Sequence, residues 1–215
     1  MAEHVTITSA NCHEPKHITS STTADAGKVI TPSSSVNGTS TLRLLTVEDI
    51  NPAGQTAWTG WQRYEDTTHT SGSPLAINPV DRTLVTIDGN GAGSNTSYSP
   101  TGSGNFWDVS TNKIVPDNEG DGYIVRLTFK AKAASTTGAY FDTDLDVAGS
   151  LGVILKQTKV FAKGTGVHHD IVLTWPIFTL DTFAANGGSI YITPSSNDQT
   201  FWDFAITIFK VYSGA

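Results

Sequence analysis

Within the first twenty residues, Cys12, His13 and His17 place one thiol and two imidazoles inside a span of six residues, with His4 a little upstream. Zinc takes thiolate and imidazole ligands as a tetrahedron, four from protein in a structural site and three plus water in a catalytic one. Three ligands are at hand. Pro15, however, pushes Glu14 towards an extended backbone, which excludes the helical i, i+4 pairing of ligands, and the chain has no second cysteine. The segment His13-Glu14-Pro15-Lys16-His17-Ile18 therefore reads as an extended polar stretch lying on another surface, and no metal is expected there.

Three further stretches invite a chemical reading. Phe141-Asp142-Thr143-Asp144-Leu145-Asp146-Val147 sets three carboxylates on one strand face, successive ones about 6.5–7 Å apart. Calcium loops curl to bring six or more oxygens together and use glycine and a downstream bidentate acid, neither of which this stretch has, so a solvated acidic face is expected. His168-His169-Asp170 opens another strand with His168 and Asp170 on one side. With no Gly-x-Ser-x-Gly elbow in the chain, no catalytic residue is assigned. Gly89-Asn90-Gly91-Ala92-Gly93-Ser94 is glycine-rich, yet it opens no helix of a βαβ unit and reads as a flexible excursion at one end of the fold. Trp58 and Trp61, near Tyr64, could stack on a sugar ring but read first as core. Neither an enzyme nor a cofactor is implied.

The scaffold follows from composition and periodicity. The 215 residues are 38% hydrophobic, enough for a substantial core, and 15% charged with a net charge of −7. Nucleic acid, which needs a lysine and arginine surface, is not an expected partner. No apolar run approaches the roughly 20 residues of a membrane span, and the N-terminus lacks a signal-peptide pattern, so synthesis in a cytoplasm and a soluble product are expected. All twenty aromatics (5 Trp, 6 Tyr and 9 Phe) lie at or after Trp58. Residues 1–57, dominated by Ser, Thr, Ala, Gly and short aliphatics, read as an extended N-terminal arm that needs a partner to order it, with short strands at Val5-Thr6-Ile7-Thr8 and Lys28-Val29-Ile30-Thr31.

Residues 58–215 show short alternating strands near 60–66, 82–88, 123–132, 140–147, 152–161, 169–178, 189–193 and 201–212, with no amphipathic helix. Tyr123, Val125, Leu127 and Phe129 face one side and Arg126, Thr128, Lys130 and Lys132 the other. The fold class is all-β: an antiparallel jelly-roll sandwich behind the arm. In the last strand, Trp202, Phe204, Ile206 and Ile208 form one apolar face, and Phe201, Ala205, Phe209 and Val211 make the other apolar too. This second face is expected to meet another subunit or the N-terminal arm, and Phe201, Phe209 and Val211 are the expected subunit-interface residues.

The segments His13-Glu14-Pro15-Lys16-His17-Ile18 and Asp25-Ala26-Gly27-Lys28-Val29-Ile30 resemble the head-attaching N-terminal segment of tailed-bacteriophage virion proteins. Gly149-Ser150-Leu151-Gly152-Val153-Ile154, Lys163-Gly164-Thr165-Gly166-Val167 and Phe183-Ala184-Ala185-Asn186-Gly187-Gly188-Ser189-Ile190 resemble the jelly-roll end domain of phage fibres and decoration proteins. The resemblance implies a homotrimer in the virion, docked on the major capsid protein or another virion protein through His13–Ile18. Lack of heptads or a repeat-built shaft favours a capsid decoration or cement protein over the alternative, a tail-fibre or tailspike tip recognising a host-surface glycan. Limited proteolysis of the free protein should leave a stable fragment starting near residue 55; equal resistance throughout the first 57 residues would contradict the arm.

Overall fold

The computed structural model describes residues 30–32, 42–44, 59–77, 82–135, 137–147, 151–161 and 165–214. The chain divides into two units, Met1–Gln55 and Thr56–Ala215. In the first, β1 (Ile30–Pro32) and β2 (Leu42–Leu44) pair antiparallel, Ile30 opposite Leu44. The rest of the expected arm, including the strand at 5–8, lies outside the described residues.

The second unit is a sandwich of antiparallel sheets. One sheet has the order β10 (His169–Phe178), β7 (Gly122–Ala133), β12 (Gln199–Tyr212), β3 (Gly60–Glu65). The other runs β5 (Trp107–Asp108), β6 (Lys113–Ile114), β11 (Gly188–Pro194), β8 (Tyr140–Val147), β9 (Gly152–Val160). The two-residue β4 (Thr83–Leu84) pairs with β11 at Tyr191 and Ile192, along the side of β11 that β6 also uses. Leaving aside the β5–β6 hairpin, the chain passes from β3 to β4, β7, β8, β9, β10, β11 and β12, crossing between the sheets at every step but β8 to β9. That path is a jelly roll, and the eight expected strands are the eight that build it.

Alternation explains the core. The odd residues of β7 and β10 point between the sheets, so that Val125, Leu127, Leu173 and Trp175 are buried opposite Phe141, Leu145, Ile190 and Ile192. Phe129 of one sheet lies 5.7 Å from Phe141 of the other, and Phe201 and Phe204 complete the group at 5.2 Å from Phe141 and Phe129 respectively. Two elements went unread in the sequence because they are too short to show a period: the β5–β6 hairpin, whose turn holds Asn112 at φ 54, and the short helix α1 (Asp181–Asn186). Gly187 ends α1 at φ 68, and a side chain there would meet the Ile114 carbonyl oxygen at 2.5 Å.

The last strand corrects an expectation. Against β7, Trp202 stands opposite Lys130 and Ala205 opposite Thr128, so β12 holds one extra residue, and Asp203 takes the left-handed φ of 53. This bulge reverses the alternation: Phe201 belongs to the same face as Phe204, Ile206 and Ile208. Phe201 is fully buried in the core and is not available to a second subunit. Trp202 takes the outer side, covered edge-on by His168 with ring centroids 5.1 Å apart.

A second bulge, at Val211, follows Lys210, which continues the inward alternation of Ile206 and Ile208 and stands opposite Tyr123. Its ammonium lies 2.8 Å from Asp121 Oδ2 and 3.1 Å from Asp117 Oδ2, with the Lys210 side chain only 5% exposed. Asp121 also accepts the Tyr123 hydroxyl at 2.9 Å and the N–H groups of Asn118 and Gly214 at 3.0 and 2.8 Å. Burial pushes the Asp121 carboxyl up, but Lys210, Gly214 and Tyr123 outweigh it and hold its pKa below the ordinary value. Burial raises the Tyr123 hydroxyl, with the charges of Asp117 and Asp121 adding to the shift.

Lys210→Met should destabilise the sandwich by roughly 3–5 kcal/mol, since it leaves Asp121 buried without its cation. Denaturant unfolding measures this. The pH dependence has a definite sign: with a folded pKa below the unfolded value of about 3.9, the Asp121 contribution is complete above that value and disappears as pH falls through the folded pKa. In the Lys210→Met variant acid unfolding should begin at higher pH.

Candidate interaction face

The stretches with chemical potential are used up internally. Asp142, Asp144 and Asp146 do share the outer face of β8, as expected, but each of them is paired. Arg82 pairs with Asp144, and with Asp146 at 2.7 Å, while lying 4.1 Å over the Tyr191 ring; Asp142 takes Lys156 at 2.9 Å and the Thr158 hydroxyl at 2.6 Å. Burial raises the Asp142 carboxyl, while Thr158 and Lys156 bring its pKa below the ordinary value. The ladder is an ion-paired seam rather than a freely solvated one.

His168 packs on Trp202 and His169 on Phe161, at 5.1 and 5.2 Å between ring centroids. Neither ring has a hydroxyl or thiol partner among the described residues. Sequence reading missed one histidine pair: His69 Nδ1 lies 2.6 Å from Asp66 Oδ2, and its Nε2 lies 3.4 Å from Thr86 Oγ1. The Asp66 carboxylate also accepts the N–H groups of Thr68, His69 and Asp88, so it holds the loop after β3 in place. An acid three residues before a histidine at the end of a strand was the available signal. Among the described residues no group of three or more His, Cys, Asp or Glu side chains could hold a metal ion. Nor is any helix among them long and apolar enough to cross a membrane. Cys12 and the docking segment His13, Glu14, Pro15, Lys16, His17 and Ile18 lie outside the described residues, as does Trp58.

The glycine run behaves differently from its expected role as a flexible excursion. Gly91 N–H donates to the Glu65 carbonyl at 3.0 Å, Gly93 N–H to Glu65 Oε2 at 2.8 Å, and Asn95 exchanges both backbone hydrogen bonds with Arg63 at 2.8 Å. Trp61 N–H then donates to the Tyr98 carbonyl at 2.9 Å. Residues 91–98 thus line the free edge of β3, and a side chain at Gly91 would collide with Glu65 Cβ at 2.4 Å. The hydrogen bond from Arg63 chiefly, aided by Gly93 N–H against burial, lowers the Glu65 pKa.

Among the described residues, what these contacts leave uncovered is a band across the outer face of the β10-β7-β12-β3 sheet. The registers align Pro176, Ile124, Phe209 and Trp61 in one row over all four strands. Tyr98 extends the row, stacked on Trp61 at 4.9 Å and 22°, and Phe209 lies 6.5 Å from Trp61. Gly122 separates Phe178 from Tyr212 in the next row, close enough that a Cβ on it would lie 3.1 Å from Tyr212 and 3.4 Å from Phe178. Of the expected interface residues, Phe209 sits half-buried in this band and Val211, the bulged residue beside it, is half-exposed. Tyr64 is core, whereas Trp61 belongs to the band. Ile124, Phe178, Tyr98 and Tyr212 were missed because only the strand order brings them together.

No protein-family model and no curated protein matches the chain. Among solved structures it is similar to the Eiger TNF from S. frugiperda, at 10% identity and a TM-score of 0.35, over 73% of this chain and 88% of that one. Elemental analysis of protein purified without chelator should find zinc and calcium well below one ion per chain; a stoichiometric ion whose removal lowers thermal stability would contradict the internal pairing of these acids.

Proposed function

We propose that the protein is a structural component of a virion, one that decorates or cements the capsid of a tailed bacteriophage. In this reading residues 1–57 dock on the major capsid protein or another virion protein, with His13–Ile18 as the contact segment, and the jelly roll stands exposed as a homotrimer. The observation that supports it most is the exposed aromatic band on a sheet where Arg63 pairs with Glu65 and Lys130 with Asp203. A broad, flat, uncharged surface suits assembly with another protein surface better than it suits turnover of a small molecule, which needs a concave site. The resemblance of the N-terminal segments to head-attaching phage proteins supplies the kind of partner.

A second reading follows from Trp61 and Tyr98, whose stacked rings beside Arg63, Glu65 and Asn95 combine an aromatic platform with hydrogen-bonding groups. That combination suits a sugar ring, as the tip of a tail fibre or tailspike would require for a host-surface glycan. Imaging the parent particle separates the two. Density for the sandwich on the head lattice is the expected result, together with loss of particle binding when residues 1–57 are deleted. Density at the tail tip would replace decoration by receptor binding.

A further inference from the structure

We propose that the band centred on Ile124, Phe178 and Tyr212 is the surface through which copies of this chain associate, the occupant of the face being a second copy. Exposure of the aromatics is the first argument. Phe178 is 69% exposed, Tyr98 59% and Tyr212 57%, although all three belong to ordered rows of a sheet or pack on one. A fully buried aromatic removes roughly 150–250 Å² from water, so these three still present on the order of 300–450 Å². Ile124 at 37% and half-exposed Val211 add to it. Scattered exposed apolar residues need no explanation, but a contiguous patch of this size matches the largest that monomers show, which is often an interaction site.

Size and chemistry both fit a copy-to-copy contact. A standard interface covers about 800 Å² on each partner, with a core about 65% apolar, so the band supplies most of the apolar area one side needs. The two rows contain no charged residue: Pro176, Ile124, Phe209 and Trp61 in one, Phe178, Gly122 and Tyr212 in the other. The charges begin in the rows beyond, at Arg126 and Arg63, then at Glu65 and Lys130. This is the arrangement of an interface core with a polar rim. A surface without charge gives a foreign charged partner nothing to select, and in a chain of net charge −7 it is the place where two copies meet with least repulsion.

The inference deepens the assembly reading and shares with it only the premise that copies associate; it does not depend on a virion, because its test uses the full 215-residue chain alone. Light scattering should give a mass that is a multiple of 22.8 kDa. Phe178→Asp and Ile124→Lys should each move that mass to or towards the monomer while near-ultraviolet circular dichroism and the thermal midpoint of the sandwich stay within a few degrees of wild type. Val153→Asp and Val160→Asp, on exposed positions of β9, are the controls and should leave the mass unchanged. A wild-type chain that is monomeric from micromolar to millimolar concentration overturns the inference, as does an oligomer that survives both band substitutions in folded protein. Dissociation by the β9 controls alone would also overturn it, by placing the interface on the other sheet. Particle localisation is a separate measurement, so either reading can fail without the other.

Discussion

A single buried ammonium holds the closing strand where the rest of the sandwich needs it. Lys210 enters the interior between Asp117 and Asp121, and the same two acids and Tyr123 gather Gly104, Asn118 and Gly214 around them. An unpaired charge at that depth would be very costly, so the geometry has little freedom. With Lys210 fixed, the start of β7 and the end of β12 are fixed against each other. Asp117 further accepts the Ser103 hydroxyl, which ties the loop between β4 and β5 into the same cluster. Apolar burial supplies most of the stabilising free energy of a domain of this kind and fixes which face turns inward, but it separates less sharply the registers two residues apart, which keep the same face inward. The directional network selects one.

Register in turn decides what the outer face looks like. Two bulges within β12, at Asp203 and at Val211, change which side of the strand each residue takes. Without the first, Phe201 would lie outside and Trp202 inside. Without the second, Tyr212 would turn inward and leave the band. The band therefore depends on irregularities in the strand as much as on its hydrophobic residues.

The sequence disclosed the parts of the fold that follow from uninterrupted alternation. β7 has no bulge over its inward residues, and Tyr123, Val125, Leu127 and Phe129 fall inside as read. The positions of the eight jelly-roll strands were visible from short apolar runs set between turn residues. β12 was read with the wrong face because a bulge shifts the period without changing composition, and Asp203 inside the run Phe201–Phe209 was the one available hint. Strand order was not legible, since the pairing of β10 with β7 and of β12 with β3 joins residues separated by 38 to 150 positions. For that reason Phe209 and Val211 could be picked out on their own strand while Ile124 and Phe178 could not. The glycine run at 89–94 was read as freedom of the backbone, whereas Gly91 and Gly93 serve close approach to Glu65.

Closure of the β3 edge by residues 91–98 has a meaning in polymer terms. A sheet with two open edges is a bifunctional monomer: each added copy leaves a new edge, and growth continues into a fibre. Here one edge of the four-stranded sheet already has its hydrogen bonds taken by Arg63, Asn95, Trp61 and Tyr98, while among the described residues no strand pairs with the outer edge of β10. The sheet is monofunctional. Two copies could meet through β10, but the resulting eight-stranded sheet would present capped edges at both ends and stop. This sheet is therefore protected against open-ended strand addition even at the high local concentrations of an assembly.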